Sequence, residues 1–583
     1  MLKYNVLLNV LDKICEDAPK EYKSYKAKKK ETEKFNRARS KAFIHLFLMV
    51  KCGITDFKER HDLITDGTQD GGIDAYFLDR EKKKLFLIQS KFRTKRNFEQ
   101  KSLTAEDLIK MEVRRILKGK EKDSNGNKYS KKIKEFQKKW SEVGDHAHYD
   151  YIIIILGNLT KYNDEQIRRL IDNSNYEIYN FERTYEELVF PLCSATYYDP
   201  KEIEITINLF DKEQPILKQK IDTEYGDFQV RLVFVPCEEI GRTMLKYKNS
   251  ILKFNPRNYL SLSKNKVNRK IRDSILNVKK NDFAILNNGI TILADSFKST
   301  ESTGTVDVGQ VIMSNPQIIN GGQTAYTLSE IYEKYRAKKN LIFSNKEVML
   351  KVVISKEGID PNPKFIEEIS NATNQQTRVK EEDRRSNHEI QIKLQELIFN
   401  NFGYFYERKK GEFYHGITSK YIEKKYVINR NKFLRAYLAF KGNPADARRS
   451  GSNTLFKQKK FKEIFDNADN FKKMLFAYLV LDHLNKIKND RGKNWGFGLR
   501  YGKMAIISAI GVNEIKEDIT PENIKKLVQK KVKAIKIRWK KFEKWVVKKN
   551  KKKKWYFSEM GFDFDNYYKG FSLNSDIKEF FKD

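Results

Sequence analysis

The chain has little cysteine and uses none of it in pairs. Cys15, Cys52, Cys193 and Cys237 stand alone, with neither the C-x-x-C spacing of a zinc site nor the density of a disulfide framework. Histidine is equally sparse. The seven present (His45, His61, His146, His148, His388, His415 and His483) form no H-x-x-x-H or H-E-x-x-H, which excludes a zincin-type hydrolase. His146 and His148 alternate ahead of an apolar run, where a solvated pair at a strand entrance is the simpler reading. There is no G-x-x-x-x-G-K-S/T, so the chain carries no P-loop motor, and no G-x-S-x-G nucleophile elbow. No stretch approaches 18 consecutive apolar residues, and MLKYNVLLNVLDKICED has neither a basic leader nor a long apolar core. The expectation is a soluble, cytoplasmic protein without a membrane partner. Repeats of fixed period are absent too.

Acid is scarce relative to base. Against 78 Asp and Glu stand 115 Lys and Arg, a formal charge of +37 that favours a polyanionic partner, above all nucleic acid. With 39% hydrophobic and 13% aromatic residues the chain can build real cores, and 583 residues are too many for one of them. The reading is multidomain α/β and α+β: an α/β domain over 1–200, an α+β core over 201–415 and a helical basic domain over 416–583.

One stretch concentrates chemistry: Asp66 to Lys91, DGTQDGGIDAYFLDREKKKLFLIQSK. Ile73 to Leu78 and Leu85 to Ile88 read as two strands joined by a polar connector of hairpin length. A turn centred on that connector sets residues whose numbers sum to 163 opposite one another. Asp74 then faces Gln89, and Lys91 points to the same side. A carboxylate, an amide oxygen and an ammonium at one sheet edge suit metal-assisted phosphodiester hydrolysis. Asp74 and Gln89 would hold Mg²⁺ or Mn²⁺, and Lys91 would orient the attacking water. Asp70, inside the glycine turn, and Asp66 are further candidate ligands, each with turn formation as its plainer role.

The residues Gly71-Gly72-Ile73-Asp74 and Ile88-Gln89-Ser90-Lys91 resemble the PD-(D/E)xK nucleases, in the Mrr-like variant with Gln for the second acid. The resemblance implies a restriction-endonuclease-like α/β domain and an upstream helix that donates another acid. At the expected place this chain has Ala42-Phe43-Ile44. Glu31 and Glu33 lie a few turns earlier, and Glu33 is carried as a candidate metal ligand. Beyond the catalytic strand, Arg93, Lys95 and Arg96 form a basic cluster suited to phosphates. A helix is expected over Thr104–Lys118, and YDYIIIIL (149–156) reads as a central buried strand.

Further on come Asn255-Pro256-Arg257-Asn258, Asn287-Asn288-Gly289, NPQIINGGQT (315–324) and Asn371-Ala372-Thr373-Asn374-Gln375-Gln376. This succession resembles the AIPR (abortive infection phage resistance) family, which implies a role in bacterial antiphage defence. A glycine turn opening a helix at Gly321-Gly322 suits an anion, and Arg257, Asn288, Asn320, Gln323, Asn371 and Asn374 could surround one recognition pocket. Equally, Asn and Gly shape turns and satisfy one another inside a core.

From about 417 the pattern is helical, with helices expected over Ile422–Phe440, Lys459–Lys488 and Pro521–Lys549. The last has a stripe of Ile524, Leu527, Val528, Val532, Ile535, Trp539, Phe542 and Val546. Lys536, Arg538, Lys540 and Lys541 on this helix are candidate phosphate contacts. The reading that results is a metal-dependent nuclease, DNA favoured over RNA, with an RNase and a noncatalytic nucleic-acid or nucleotide sensor as alternatives. It admits a regulatory partner, a phage-derived trigger and a homo-oligomer.

Overall fold

The computed structural model describes residues 2–27, 32–80, 82–92, 103–159, 162–171, 173–210, 215–255, 266–277, 282–300, 309–355, 365, 368–369, 380–465, 467–490, 495–513, 515–559 and 561–582. Strands and helices alternate in the first third, mix in the second and give way to helices in the last, so the protein is multidomain α/β and α+β.

The first sheet has four strands in the order β1 (Ala75–Asp79), β2 (Lys84–Ser90), β3 (Asp150–Leu156) and β4 (Asn175–Tyr179). β1 and β2 form the antiparallel hairpin, with Ala75 opposite Ile88 and Asp79 opposite Lys84. β2, β3 and β4 run parallel, so their carboxyl ends and the start of β1 share one edge. β3 is buried on both faces, which its run of isoleucines requires. The side-chain alternation divides the two cores. Ala75, Ile88, Ile154 and Leu156 face the helices α1 (Leu2–Asp17) and α2 (Thr32–Val50), with Leu7, Leu11, Phe43 and Phe47. Tyr76, Leu85, Leu87, Ile153 and Ile155 face the other way, onto Leu108, Ile133 and Phe136. The first of these cores also takes in Phe399, Phe405, Phe413, Tyr421 and Ile422 from much later in the chain.

The helix expected over Thr104–Lys118 is two short ones, Ala105–Ile109 and Val113–Leu117. The cause is Gly72. Its φ is +73°, and a Cβ there would lie 2.5 Å from the carbonyl oxygen of Lys110 and 2.8 Å from the nitrogen of Met111. The glycine turn presses into the main chain between the helices, and the Glu112 N–H donates to the Gly71 carbonyl at 2.9 Å.

The middle third holds a five-stranded sheet in the order β11-β8-β12-β7-β6 and a three-stranded one in the order β5-β10-β9. These strands are β5 (Glu204–Asn208), β6 (Leu217–Thr223), β7 (Gly226–Pro236), β8 (Ile290–Ala294), β9 (Ser296–Thr300), β10 (Gln310–Ser314), β11 (Gln317–Asn320) and β12 (Glu347–Ser355). Helices Cys237–Tyr247 and Gly322–Lys334 pack together, burying Ile240, Met244, Ala325, Leu328 and Ile331 with the sheet.

The last third is built around helix Phe471–Lys486 and the 26-residue helix Ile524–Lys549, which starts three residues after Pro521. The helix expected over Ile422–Phe440 spans only Arg430–Phe440. Before it, Val427–Asn429 is extended and pairs in parallel with Phe405–Glu407. Among the described residues no helix is long and apolar enough to cross a membrane.

An acidic site at the edge of the first sheet

The site grows out of the loop before β1. The Thr65 and Asp66 N–H groups donate to the Asp74 carbonyl at 2.8 and 3.0 Å, and the Asp74 N–H donates to the Ile88 carbonyl at 2.9 Å. Asp70 closes the turn between them, accepting from the Gly72 N–H at 2.9 Å and the Gly67 N–H at 3.1 Å. This folds the loop so that Asp66, Asp70 and Asp74, all half-buried, bring one carboxylate oxygen each within 4.8 Å of one another. Asp66 is held from α2 by Lys41 at 3.5 Å.

Burial pushes the Asp74 carboxyl up to about 8. The Ser90 N–H, which donates to its Oδ2 at 2.7 Å, opposes the shift, and the Asp66 and Asp70 charges reinforce it. Burial also raises Asp70. Asp70 and Asp74 therefore both hold a proton more tightly than a free carboxyl does.

Across the hairpin Gln89 is 7% exposed. Its Nε2 donates to the Asp107 carbonyl at 2.5 Å, which leaves Oε1 buried with no partner among the described residues. Such an orphaned acceptor costs about 1–3 kcal/mol unless something satisfies it. Lys91 lies on the same side, its Nζ 2.5 Å from Asp107 Oδ1. Asp107 also accepts from the Thr104 N–H and hydroxyl at 3.1 and 2.9 Å. Burial would raise its carboxyl, but Lys91 and Thr104 together hold it below the usual range.

Asp74, Gln89 and Lys91 thus share one face of the hairpin, joined by Asp66 and Asp70. Asp107 is the participant that sequence reasoning missed. Thr104 and the acids after it announced a helix start, and nothing local announced that this start would meet β2. Glu33 is exposed in the first turn of α2 and stands outside the acidic group. Its helix covers the opposite face of the sheet, meeting β2 through Ser40, whose hydroxyl accepts from the Phe92 N–H at 3.1 Å. Glu31, Arg93, Lys95 and Arg96 lie outside the described residues.

The donor set fits a hard divalent cation. Three carboxylates and a buried amide oxygen are oxygen ligands of the kind Mg²⁺ and Mn²⁺ take. Positive charge there would relieve the crowding at Asp74.

In the middle third the asparagine and glycine motifs converge. Gly321, at φ +82°, abuts the turn before β8: a Cβ would lie 2.9 Å from the Gly289 carbonyl oxygen and from Ile290 Cα. Asn287 donates to Thr324 at 3.3 Å, and Asn268 donates to the Gln323 side chain at 3.1 Å. Asn320 accepts from the Gly321 N–H at 2.8 Å, and Asn255 donates to the Ile318 and Ile319 carbonyls at 3.3 Å. Asn288 belongs to the same turn. These contacts lock two turns and a helix start together. Arg257, Asn371 and Asn374 lie outside the described residues.

On the basic helix, Lys540 and Lys541 are exposed and Lys536 is half-buried. Arg538 is turned inward: it donates to the Phe580 carbonyl at 2.9 Å and stacks on Phe580 and Phe581.

The architecture defines a multidomain α/β and α+β protein with an oxygen-rich acidic edge site ahead of an asparagine-braced core. A family model described as AIPR protein matches residues 252–554, just over half of the chain. The chain belongs to that family. No curated protein and no solved structure matches it.

Proposed function

We propose that the chain is a metal-dependent nuclease acting in antiphage defence, with its active site at Asp66, Asp70, Asp74, Gln89 and Lys91. The observation that carries this is the pairing of a crowded, proton-holding carboxylate group with the unpartnered Oε1 of Gln89. Asp66, Asp70, Asp74 and Gln89 would hold Mg²⁺ or Mn²⁺. A bound cation supplies polarisation of a phosphate oxygen and a more acidic water. As water adds to phosphorus and the P–O bond to the leaving oxygen breaks, Lys91 would set its ammonium against the negative charge gathering on the phosphoryl oxygens, and Asp107 would position Lys91. The carboxyl edge of parallel strands is where α/β folds place ligands. Membership of the AIPR family supports the defence role, and the net charge of +37 supports a nucleic-acid substrate, with DNA favoured.

The test is cleavage of plasmid DNA and of total RNA by wild type and by Lys91→Ala, with Mg²⁺, Mn²⁺ or EDTA. Metal-dependent DNA cutting lost in the variant supports the reading, and RNA cutting keeps the site and changes the substrate. A second reading, a noncatalytic sensor, draws on Lys91 being engaged by Asp107 and on the lack of an α2 acid in the group. It expects no cutting of either substrate and no cation-linked rise in melting temperature that depends on Asp74.

A further inference from the structure

The carboxy-terminal third contains a groove of about 530 Å³ between the end of helix Phe471–Lys486 and the middle of helix Ile524–Lys549. Its volume lies in the range of small-molecule sites, roughly 300–1,000 Å³. Three of its lining residues, Lys533, Lys536 and Lys540, recur at helical spacing along one stripe. Their neighbours Lys530 and Lys531 share one acid, Glu517, at 3.0 and 3.3 Å. Lys533 and Lys540 are exposed and have no ion-pair partner among the described residues.

The other lining groups are of a different kind. Trp495 is 0% exposed, and its indole N–H is buried without an acceptor among the described residues. The neighbouring Trp539 shows what such a group ordinarily finds, since its N–H donates to Glu543 at 3.2 Å. Ile537, 73% exposed, offers an apolar face beside the lysines. Cations on one wall, an apolar face and a buried donor lacking its acceptor make up a receptor for a flat, polar-edged group attached to phosphate.

We propose that this groove binds a nucleotide unit, its phosphate on Lys533, Lys536 and Lys540, its base against Ile537 and a base or sugar acceptor on the Trp495 N–H. The lysine stripe continues through Lys544 and Lys548, both exposed on the same side of the helix, so phosphates flanking a seated nucleotide would also find charge. That continuation suits a nucleic-acid strand, and a free nucleotide shares the same chemistry. The proposal stands whether or not the acidic edge site cuts.

Binding is measured on the full chain in EDTA, by anisotropy with a short fluorescein-labelled oligothymidylate and by calorimetry with ATP. Wild type is expected to bind at least one probe. The exposed pair Lys533→Glu/Lys540→Glu should weaken that binding about tenfold or more, since each lost phosphate contact also removes a counterion-release contribution. Ile537→Glu should weaken it as well, and Trp495→Phe, which keeps a ring but loses the donor, about threefold or more. Lys20→Glu/Lys23→Glu, with the same change in net charge in the amino-terminal third, should bind as wild type does. Oligonucleotide binding without ATP binding identifies a strand; ATP binding identifies a free nucleotide. The proposal is overturned if neither probe binds wild type, if the Lys533/Lys540 variant binds unchanged, or if the Lys20/Lys23 control loses as much. An overlaid melting curve for the lysine variants separates loss of binding from loss of fold.

Discussion

Lys91 Nζ and Asp107 Oδ1 stand 2.5 Å apart, joining the end of β2 to a helix start 16 residues further on. Because Asp107 also caps that helix through Thr104, the position of the Lys91 ammonium is tied to the helix. Asp107→Ala should lower stability by about 1–2 kcal/mol through the lost cap and charged contact. On the proposed nuclease reading it should also cut metal-dependent cleavage at least about tenfold. Asp107→Asn keeps a cap acceptor and should recover most of the stability while leaving cleavage impaired. Denaturant melts and single-turnover rates check both, and wild-type rates in both variants would show that Lys91 needs no such anchor.

Asp74 gives the protein a pH signature. Its folded carboxyl is raised from the ordinary 3.8 to about 8, so across that window the folded chain holds a proton that the unfolded chain has released. The contribution of this group to stability therefore falls as pH rises from 3.8 toward 8. Asp74→Asn should flatten that fall and raise the metal-free melting temperature near pH 8. A divalent cation at the proposed site would compete with the proton, so a Mg²⁺-linked gain in melting temperature should grow with pH through about 8 in wild type and vanish in Asp74→Asn.

Gly321 cannot be exchanged. An alanine there combines φ +82° with a Cβ 2.9 Å from main-chain atoms of Gly289 and Ile290, neither of which can rotate away. Gly321→Ala should cost about 2–4 kcal/mol. Gly451→Ala, whose Cβ meets nothing within 4 Å, should cost far less. Thermal melts of the pair would show whether the turn contact is as rigid as its geometry requires.

Arg430 is buried with Asp383, its ion-pair partner, and lies 4.0 Å from Glu382. Arg430→Ala removes the cation buried against both carboxylates and should destabilise by about 3–5 kcal/mol. Replacing Asp383 with Asn in the same background should restore part of that loss. Chemical denaturation of the single and double variants measures the coupling.

What the sequence made legible followed from short-range rules. The hairpin register came from the position of one polar connector, and the stripe of helix Ile524–Lys549 from its helical period: Leu527, Val532, Trp539 and Phe542 are all buried. What was hidden depended on distant partners. The break after Ile109 exists because Gly72 docks there. The extended Val427–Asn429 exists because Phe405–Glu407 lies alongside it, and Asp107 joins the site through a contact that no local pattern encodes. Arg538, which reads as one more cation on a basic helix, is spent on the Phe580 carbonyl.

Phe399, Phe405, Phe413, Tyr421 and Ile422 lie in the same core as α1 and α2, and Asn9 of α1 donates to the Lys420 and Tyr421 carbonyls at 2.8 and 2.7 Å. The acidic edge site and the family-matched region are therefore not beads on a string. A gene cut near codon 200 would yield a fragment with a raw apolar face, prone to clumping, and a graft of this amino-terminal module onto a foreign partner would need to bring residues 399–422 with it. Inheritance of the two halves is expected to be joint.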